Sequence, residues 1–183
     1  MLEVRFHGRG GQGAVVASEI LAKAAVREGK YASAFPFFGV ERRGAPVMAF
    51  CRIDNRPIRI HAGIYEPDHV VVLDPALMSM IDVTEGQKDG GTLLINTSHS
   101  PEDLDLPNGR RTVLVDATAI ALRRGLGSAT APIVNTAILG AFVRACPEVT
   151  INSLVESIKE SVPAKREQNV AAAQDAYKQL EGL

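Results

Sequence analysis

The chain has 183 residues, of which 46% are hydrophobic and 22% charged, and its formal net charge at pH 7 is −1. This length and composition predict a single globular domain over residues 1–183. A charge so close to zero excludes a protein that binds nucleic acid or an acidic membrane by bulk attraction. Any anion site would therefore have to be local.

The two cysteines, Cys51 and Cys146, lie far apart in apolar stretches. This excludes a disulfide framework or a cysteine-ligated cluster within the chain, and it favours a reducing cytoplasm. We expect no signal peptide, because the sequence begins directly with a strand pattern. We also expect no membrane span, because the longest apolar helix candidate, residues 133–145, is shorter than the ~20 residues that a bilayer requires.

The first thirteen residues predict an anion-binding turn. An alternating β-rich run, LEVRFH, enters the turn GRGGQG, in which Gly8, Gly10 and Gly13 have the spacing G-x-G-x-x-G. A helical pattern follows at once. Glycines let the backbone approach a ligand closely, and a helix N-terminus offers unpaired N–H groups and the positive end of a dipole.

Strands and helices alternate after this turn. The sequence predicts helices over residues 14–28, 76–86, 117–124, 133–146, 150–162 and 163–180, and strands over residues 31–38, 68–73, 92–95 and 111–115. Two alternating runs around Asp54–Pro57 also predict an antiparallel hairpin, with Val47 to Ile53 in its first strand and Ile58 and Ile60 in its second. The pattern predicts an α/β fold: a layered α/β/α Rossmann-like domain with a mostly parallel sheet and an added antiparallel hairpin.

Ligands of parallel sheets bind at the carboxyl ends of the strands, which here are followed by several polar segments. These segments are residues 7–13, 39–43 and 96–98, together with Asp74 and Asp116. We expect Asp74 and Asp116 to cap helices and not to catalyse. His7 is expected to be a hydrogen-bonded structural residue and not a proton carrier.

The glycine turn alone does not predict an NAD enzyme, which also needs an acid after the second strand to bind a ribose hydroxyl. The second strand, YASAFPFF, has none, and Glu41 stands beside Arg42 and Arg43. If the first helix is a crossover, the second strand runs parallel to the first and brings these arginines to the glycine turn. With Arg9 they would suit a pyrophosphate or a phosphorylated ribose.

Two structural alternatives remain open at this edge. The glycine turn could be a tight turn without a ligand, and Arg42 or Arg43 could pair with Glu41 or with a partner protein. Asn135 and Thr136, inside an otherwise apolar helix, need hydrogen-bond partners either in a packed interface or at a ligand. The sequence shows no nucleophile motif, no metal-ligand spacing and no thiamine diphosphate motif, so we expect neither a catalytic residue nor a metal site in this chain.

Several longer stretches carry a family resemblance. FHGRGGQGAVVAS, AFPFFGVERRGAPV, YEPDHVVVLDPAL, PIVNTAILGAF and QNVAAAQDAY occur in this order along nearly the whole chain. In order and spacing they resemble the gamma subunit of 2-oxoacid:ferredoxin oxidoreductases, most closely the pyruvate type, with the 2-oxoisovalerate type next. The ERRGAPV stretch is specific, and Val40 replaces the proline of the family's FGPERRGAPV.

The resemblance implies a cytoplasmic complex that converts a 2-oxoacid to acyl-CoA and CO2 and reduces ferredoxin. Its thiamine diphosphate, Mg²⁺ and iron–sulfur clusters would belong to the alpha, beta and delta subunits, and this chain would be structural and would face coenzyme A. We hypothesise that coenzyme A is contacted by Arg9, Gly10, Gly11, Gln12, Gly13, Arg42 and Arg43. The alternatives are a free-standing Rossmann-type nucleotide-binding oxidoreductase and a pure interaction module.

Overall fold

A six-stranded sheet forms the centre of the computed structural model, which describes residues 1–37, 44–104, 106 and 110–180. The strands are β1 (Leu2–Arg9), β2 (Tyr31–Phe37), β3 (Pro46–Asp54), β4 (His69–Val72), β5 (Thr92–Asn96) and β6 (Arg111–Val115), and their spatial order is β2-β3-β1-β4-β5-β6. Neighbours in the row β1-β4-β5-β6 are parallel, whereas β3 is antiparallel to both β1 and β2. A separate antiparallel pair consists of β7 (Gly127–Ser128) and β8 (Ala131–Pro132).

Within the described ranges, five α-helices accompany the sheet: α1 (Ala14–Arg27), α2 (Ala117–Arg123), α3 (Asn135–Ala145), α4 (Ile151–Ser161) and α5 (Arg166–Gln179). Two 3-10 helices lie at Pro75–Ser79 and Pro101–Asp103. Helices α3 and α5 cross very closely, because a Cβ on Gly140 would lie 1.9 Å from the carbonyl oxygen of Ala173. Within the described part of the chain, every helix is too short or too polar to cross a bilayer.

The two faces of the sheet are covered differently. Val4 and Phe6 of β1 point to one side, where all five α-helices contribute to a single apolar core. This side is called the helix face below. The other side, the loop face, has a smaller apolar cluster in which Val70 and Val72 pack against Leu77 of the first 3-10 helix. Helical elements thus lie on both sides of a mostly parallel sheet, and the predicted fold class is confirmed.

The predicted position of the antiparallel hairpin is wrong. Both edges of β3 are already paired, since Cys51 lies opposite Val4 of β1 and Phe50 lies opposite Phe35 of β2. No edge is left for a strand containing Ile58 and Ile60. The antiparallel additions to the parallel sheet are instead the β2–β3 pairing and the small β7–β8 pair.

The predicted helix over residues 76–86 is also wrong, because only one 3-10 turn forms there. Beyond that turn, the Asp82 carboxylate accepts hydrogen bonds from the backbone N–H and the hydroxyl of Thr84, which favours a turn over a helix. The second strand does run in the same direction as β1, as expected, but β3 lies between them.

Candidate functional site

The connections that leave β1 and β4 run over opposite faces of the sheet. Helix α1 follows β1 on the helix face, whereas the 3-10 helix that follows β4 lies on the loop face. This divergence opens a crevice at the carboxyl ends of β1 and β4, the place where open α/β sheets bind ligands. The glycine turn enters the crevice from β1, and Asp74 enters it from β4.

The glycine turn has a backbone that only glycine adopts easily. Gly11 has a φ of 99° and Gly13 a φ of 85°, both in the left-handed region. A Cβ on Gly13 would also lie 2.6 Å from Nδ2 of Asn135. The N–H of Gly10 donates to the carbonyl of Ala45 at 3.0 Å, which ties the turn to the start of β3.

Helix α1 begins directly after this turn, and its positive end lies at the crevice. Gly13 is its N-cap residue, so no side chain caps the first turn, and that turn contains no acidic residue. The first N–H groups of a helix have no partner within the helix, and the dipole favours an anion in front of them. The start of α1 therefore brings backbone N–H groups and the positive end of a helix dipole to the crevice.

Arg9 and Gln12 reach the same edge, but their polar atoms are already engaged. Arg9 Nε lies 2.7 Å from Asp74 Oδ2, and Gln12 Nε2 donates to the same oxygen at 3.2 Å. The Gln12 side-chain oxygen accepts the N–H of Arg9 at 2.7 Å, and Arg9 Nη1 donates to Gly44 O at 3.2 Å. An ion pair between partly exposed side chains thus spans the crevice.

Asp74 as the partner of Arg9 was missed by the sequence reasoning. The available signal was that both residues follow neighbouring parallel strands, whose carboxyl ends meet at one edge. Arg42 and Arg43, like the other predicted residues of segment 39–43, lie outside the described residues. Gly44 and Ala45, which follow that segment in the sequence, both accept hydrogen bonds from the glycine turn.

The acids that end β4 and β6 cap helices, as predicted. Asp74 Oδ1 accepts the N–H of Ala76 at 3.0 Å, and Asp116 Oδ1 accepts the N–H of Ala119 at 2.7 Å. Asn96, at the end of β5, donates to the carbonyl of Leu73 at 2.8 Å. The two acids therefore fix the starts of the helices that follow them, and the Asn96 contact joins the ends of β5 and β4. These structural hydrogen bonds explain the polar residues of this edge without a catalytic role.

The two polar residues at the start of α3 have different surroundings. Thr136 donates its hydroxyl proton to Asn169 Oδ1 of α5 at 3.0 Å, which places it in a packed helix interface. Asn135 is buried against Gly13, and its side-chain oxygen accepts the N–H of Thr136. Within the described ranges its Nδ2 donates no hydrogen bond, so an amide donor lies beside the glycine turn.

His7 is a buried structural residue, as expected. Its Nε2 accepts a hydrogen bond from Arg5 Nε at 3.1 Å. Burial and the positive charge of Arg5 lower the pKa of His7 to about 4, although the nearby Val83 carbonyl and Asp82 carboxylate oppose this shift. His7 is therefore neutral near pH 7 and is not poised to carry protons there.

The cysteines do not fit an iron–sulfur cluster, which needs several cysteine thiolates on one site. The chain has two cysteines, and both are buried. Burial raises the pKa of Cys51 to about 12, so its thiol stays protonated. Among the described residues, no group of three or more His, Cys, Asp or Glu side chains could hold a metal ion.

The chain is similar to several known proteins along nearly its whole length. Residues 3–179 match the family model described as pyruvate ferredoxin/flavodoxin oxidoreductase. The chain is 55% identical to the pyruvate/ketoisovalerate oxidoreductases common subunit gamma of Pyrococcus furiosus, over 99% of this chain and 98% of that one. It is 53% identical to the pyruvate synthase subunit PorC of Methanothermobacter thermautotrophicus, over 100% and 98% of the two chains. The crystal structure of the pyruvate oxidoreductase subunit PORC from Thermotoga maritima is similar with a TM-score of 0.81 at 38% identity, covering 97% of this chain and 95% of that chain.

Proposed function

Because the chain belongs to the pyruvate ferredoxin/flavodoxin oxidoreductase family and is a gamma subunit of a multi-subunit 2-oxoacid:ferredoxin oxidoreductase, we propose that it binds the phosphates of coenzyme A at the crevice between β1 and β4. In the proposed reaction the complex converts pyruvate or 2-oxoisovalerate and coenzyme A to acyl-CoA and CO2. Two electrons pass to ferredoxin.

The observation that carries this proposal is the uncapped N-terminus of α1 behind the glycine turn. Its first N–H groups have no partner within the helix, so with the dipole they suit a phosphate group, and the first turn contains no acidic residue to oppose an anion. Coenzyme A carries a pyrophosphate and a 3′-phosphate, so one helix end would not be sufficient. Arg9 lies at the crevice, and Arg42 and Arg43 precede the residues that contact the turn, so these cations complete the proposed set.

The redox cofactors are proposed to lie in the other subunits. Two buried cysteines cannot ligate an iron–sulfur cluster, and the described residues contain no group of three or more His, Cys, Asp or Glu side chains that could hold Mg²⁺. We assign these groups, and the docking of ferredoxin, to the alpha, beta and delta subunits of a cytoplasmic complex. The gamma chain acts as a single domain that supports their chemistry.

Replacing both Arg42 and Arg43 by methionine tests the proposal in the assembled complex. We expect the KM for coenzyme A to rise about tenfold or more, since two charge-assisted contacts to phosphate are lost. Decarboxylation of the 2-oxoacid before coenzyme A enters should continue at its normal rate. Arg56→Met, in the exposed turn after β3, is the matched control and should leave the KM unchanged. An unchanged KM in the double variant would contradict the proposal.

The pure interaction module remains a second candidate, because Arg9 and Gln12 are both bound to Asp74. In that case the double variant would weaken assembly and leave the KM of the assembled enzyme unchanged. The free-standing NAD enzyme is disfavoured by the topology. Its ribose-binding acid must follow the strand beside β1, and here the neighbour on that side is the antiparallel β3.

A further inference from the structure

The loop face contains a cavity of about 400 Å³ next to β1, β2 and β3, away from the α-helices. It is called the loop-face cavity below. Its buried lining includes Arg5, His7 and Phe50, and its exposed lining includes Phe37, Tyr65 and Ile81. This volume is within the range of pockets that bind a small molecule or a few inserted side chains.

The rim of the cavity is unusually apolar for an exposed surface. Tyr65 is 74% exposed, Phe37 47% and Ile81 38%, and all three line the same opening. The ring of Phe37 contacts that of Phe50 edge-on, with 5.9 Å between centroids, so rim and interior form one continuous apolar surface. Grouped exposure of large apolar side chains marks a contact surface.

Among the described residues, the interior offers one hydrogen-bond donor that has no well-aligned acceptor. His7 is neutral, and its Nε2 accepts the Arg5 N–H, so its proton is on Nδ1. Nδ1 is buried and makes no well-aligned hydrogen bond within the described part of the chain, although the Val83 carbonyl lies close enough to the ring to oppose the lowering of its pKa. A buried donor left unpaired costs ~1–3 kcal/mol, and an oxygen atom brought into the cavity would remove this cost.

The charges of the lining select an uncharged occupant. Arg5 Nη2 donates to the carbonyls of Val83 and Glu85, at 3.0 and 2.6 Å, so the guanidinium is held inside. The Asp82 and Glu85 side chains line the same cavity. The lining therefore already carries both signs of charge, and burying a further ion there would cost its desolvation, so an uncharged occupant is favoured.

We infer that a loop of a partner subunit inserts one or two uncharged apolar side chains into the loop-face cavity and brings an oxygen acceptor to Nδ1 of His7. A small molecule would fill the interior but leave Tyr65 and Phe37 exposed. A protein surface covers the interior and the rim together, and aromatic side chains in such pockets dominate interface energies. The inference rests on the gamma-subunit assignment and is independent of coenzyme A binding.

Phe37→Asp in the reconstituted complex tests this inference. A charge on the rim should raise the dissociation constant between the gamma chain and the remaining subunits about tenfold or more. Val26→Asp is the matched control, because Val26 is also exposed (56%) but lies on α1. The thermal midpoint of each isolated full-length variant shows whether folding is intact. Equal dissociation constants for the two folded variants would overturn the inference.

A photo-crosslinking residue at Tyr65 identifies the occupant in the same complex. We expect irradiation to join the gamma chain to a partner subunit, and mass spectrometry of the product to give an uncharged apolar segment. A crosslink confined to the gamma chain would overturn the inference, and so would a small molecule bound in the cavity of the isolated complex. None of these measurements depends on the KM for coenzyme A, so failure here is distinguishable from failure of the proposed anion site.

Discussion

The two faces of the central sheet bury the same strands by different means. On the helix face, side chains such as Phe6, Cys51 and Val71 are fully buried among apolar helix residues. On the loop face, the alternate positions of the same strands include Arg5, His7 and Arg52, and these are also buried. Helices satisfy their own backbone hydrogen bonds, whereas irregular loops do not. The loop carbonyls on the loop face therefore need hydrogen-bond donors from side chains of the sheet.

Two arginines supply those donors and organise the loops. Arg52 donates to the carbonyls of Ala62 and Gly63 at 2.8 and 3.1 Å, and its Nε pairs with Glu3 at 2.8 Å. Arg5 binds the carbonyls of the 83–85 loop in the same way. The two faces therefore differ in how their covering segments satisfy backbone carbonyls. Helices do so with their own N–H groups, whereas on the loop face one guanidinium donates hydrogen bonds to several loop carbonyls at once.

The largest loss of stability should come from replacing one of these two buried arginines. Arg52→Met leaves Glu3 and two loop carbonyls without their main donor, and breaking a buried charge pair costs ~3–5 kcal/mol. We expect the free energy of unfolding, measured with urea, to fall by about 4 kcal/mol. Arg56→Met removes an exposed arginine four residues later and should change it by less than ~0.5 kcal/mol. Equal effects of the two variants would contradict the organising role of Arg52.

The loop face should also make stability depend on pH through His7. The pKa of His7 is lowered from 6.5 to about 4 in the folded chain. Between these pH values His7 is protonated in the unfolded chain but neutral in the folded chain. The contribution of His7 to the free energy of unfolding is therefore complete above pH 6.5 and is lost as the pH falls toward 4. The loss should reach ~3 kcal/mol.

His7→Gln isolates this contribution, because glutamine keeps an oxygen acceptor for Arg5 and does not titrate. We expect the wild-type free energy of unfolding to fall more steeply than that of the variant between pH 7 and pH 4, as followed by urea titration at each pH. His99→Gln, at an exposed position, should follow the wild-type curve. Parallel curves for wild type and His7→Gln would mean that the protonation of His7 is not linked to folding.

On the helix face, stability should depend on how closely the helices pack and not on buried charges. Gly140→Ala would place a methyl group 1.9 Å from the carbonyl oxygen of Ala173, so α3 and α5 must separate. We expect a loss of ~2 kcal/mol in unfolding free energy, since overpacking costs ~1–3 kcal/mol. The same substitution on the loop face, Gly63→Ala, meets its nearest atom at 3.6 Å and should be close to neutral. A comparable loss at both glycines would remove the contrast between the faces.

The features of the fold that could be predicted from sequence are those fixed by local chemistry. The glycine turn, the start of α1 and the caps at Asp74 and Asp116 each follow from one residue type at one backbone position. The partner of β3 does not follow locally, because an alternating strand specifies which residues share a face and not which strand lies beside it.

The polar network of the loop face could not be predicted for the same reason. In LEVRFH, alternating Arg5 and His7 have the pattern of a strand with one solvent-exposed face. They are buried because the loops around residues 63–65 and 81–85 cover that face, and only the tertiary structure brings those loops there. The pairing of Arg9 with Asp74 likewise depends on β1 and β4 being neighbours across 65 residues of sequence.

The smallest change in stability is expected from the Arg9–Asp74 ion pair, which also allows a specific test of the anion site. Asp74→Asn keeps an oxygen that can accept the N–H of Ala76 but removes the charge opposite Arg9. Because both side chains are partly exposed, stability should fall by no more than ~1 kcal/mol. A released Arg9 should instead strengthen phosphate binding, so we expect the KM for coenzyme A to fall about threefold, whereas Arg9→Met should raise it.

Asp116→Asn is the matched control, since Asp116 also caps a helix at a strand end but forms no ion pair within the described residues. Its KM should equal that of the wild type. If Asp74→Asn and Arg9→Met both leave the KM unchanged, Arg9 only holds β1 to β4, and the proposed anion site would depend on the end of α1 with Arg42 and Arg43. Opposite shifts in the two variants would place the positive charge of Arg9 in the site and make Asp74 its competitor for the phosphate.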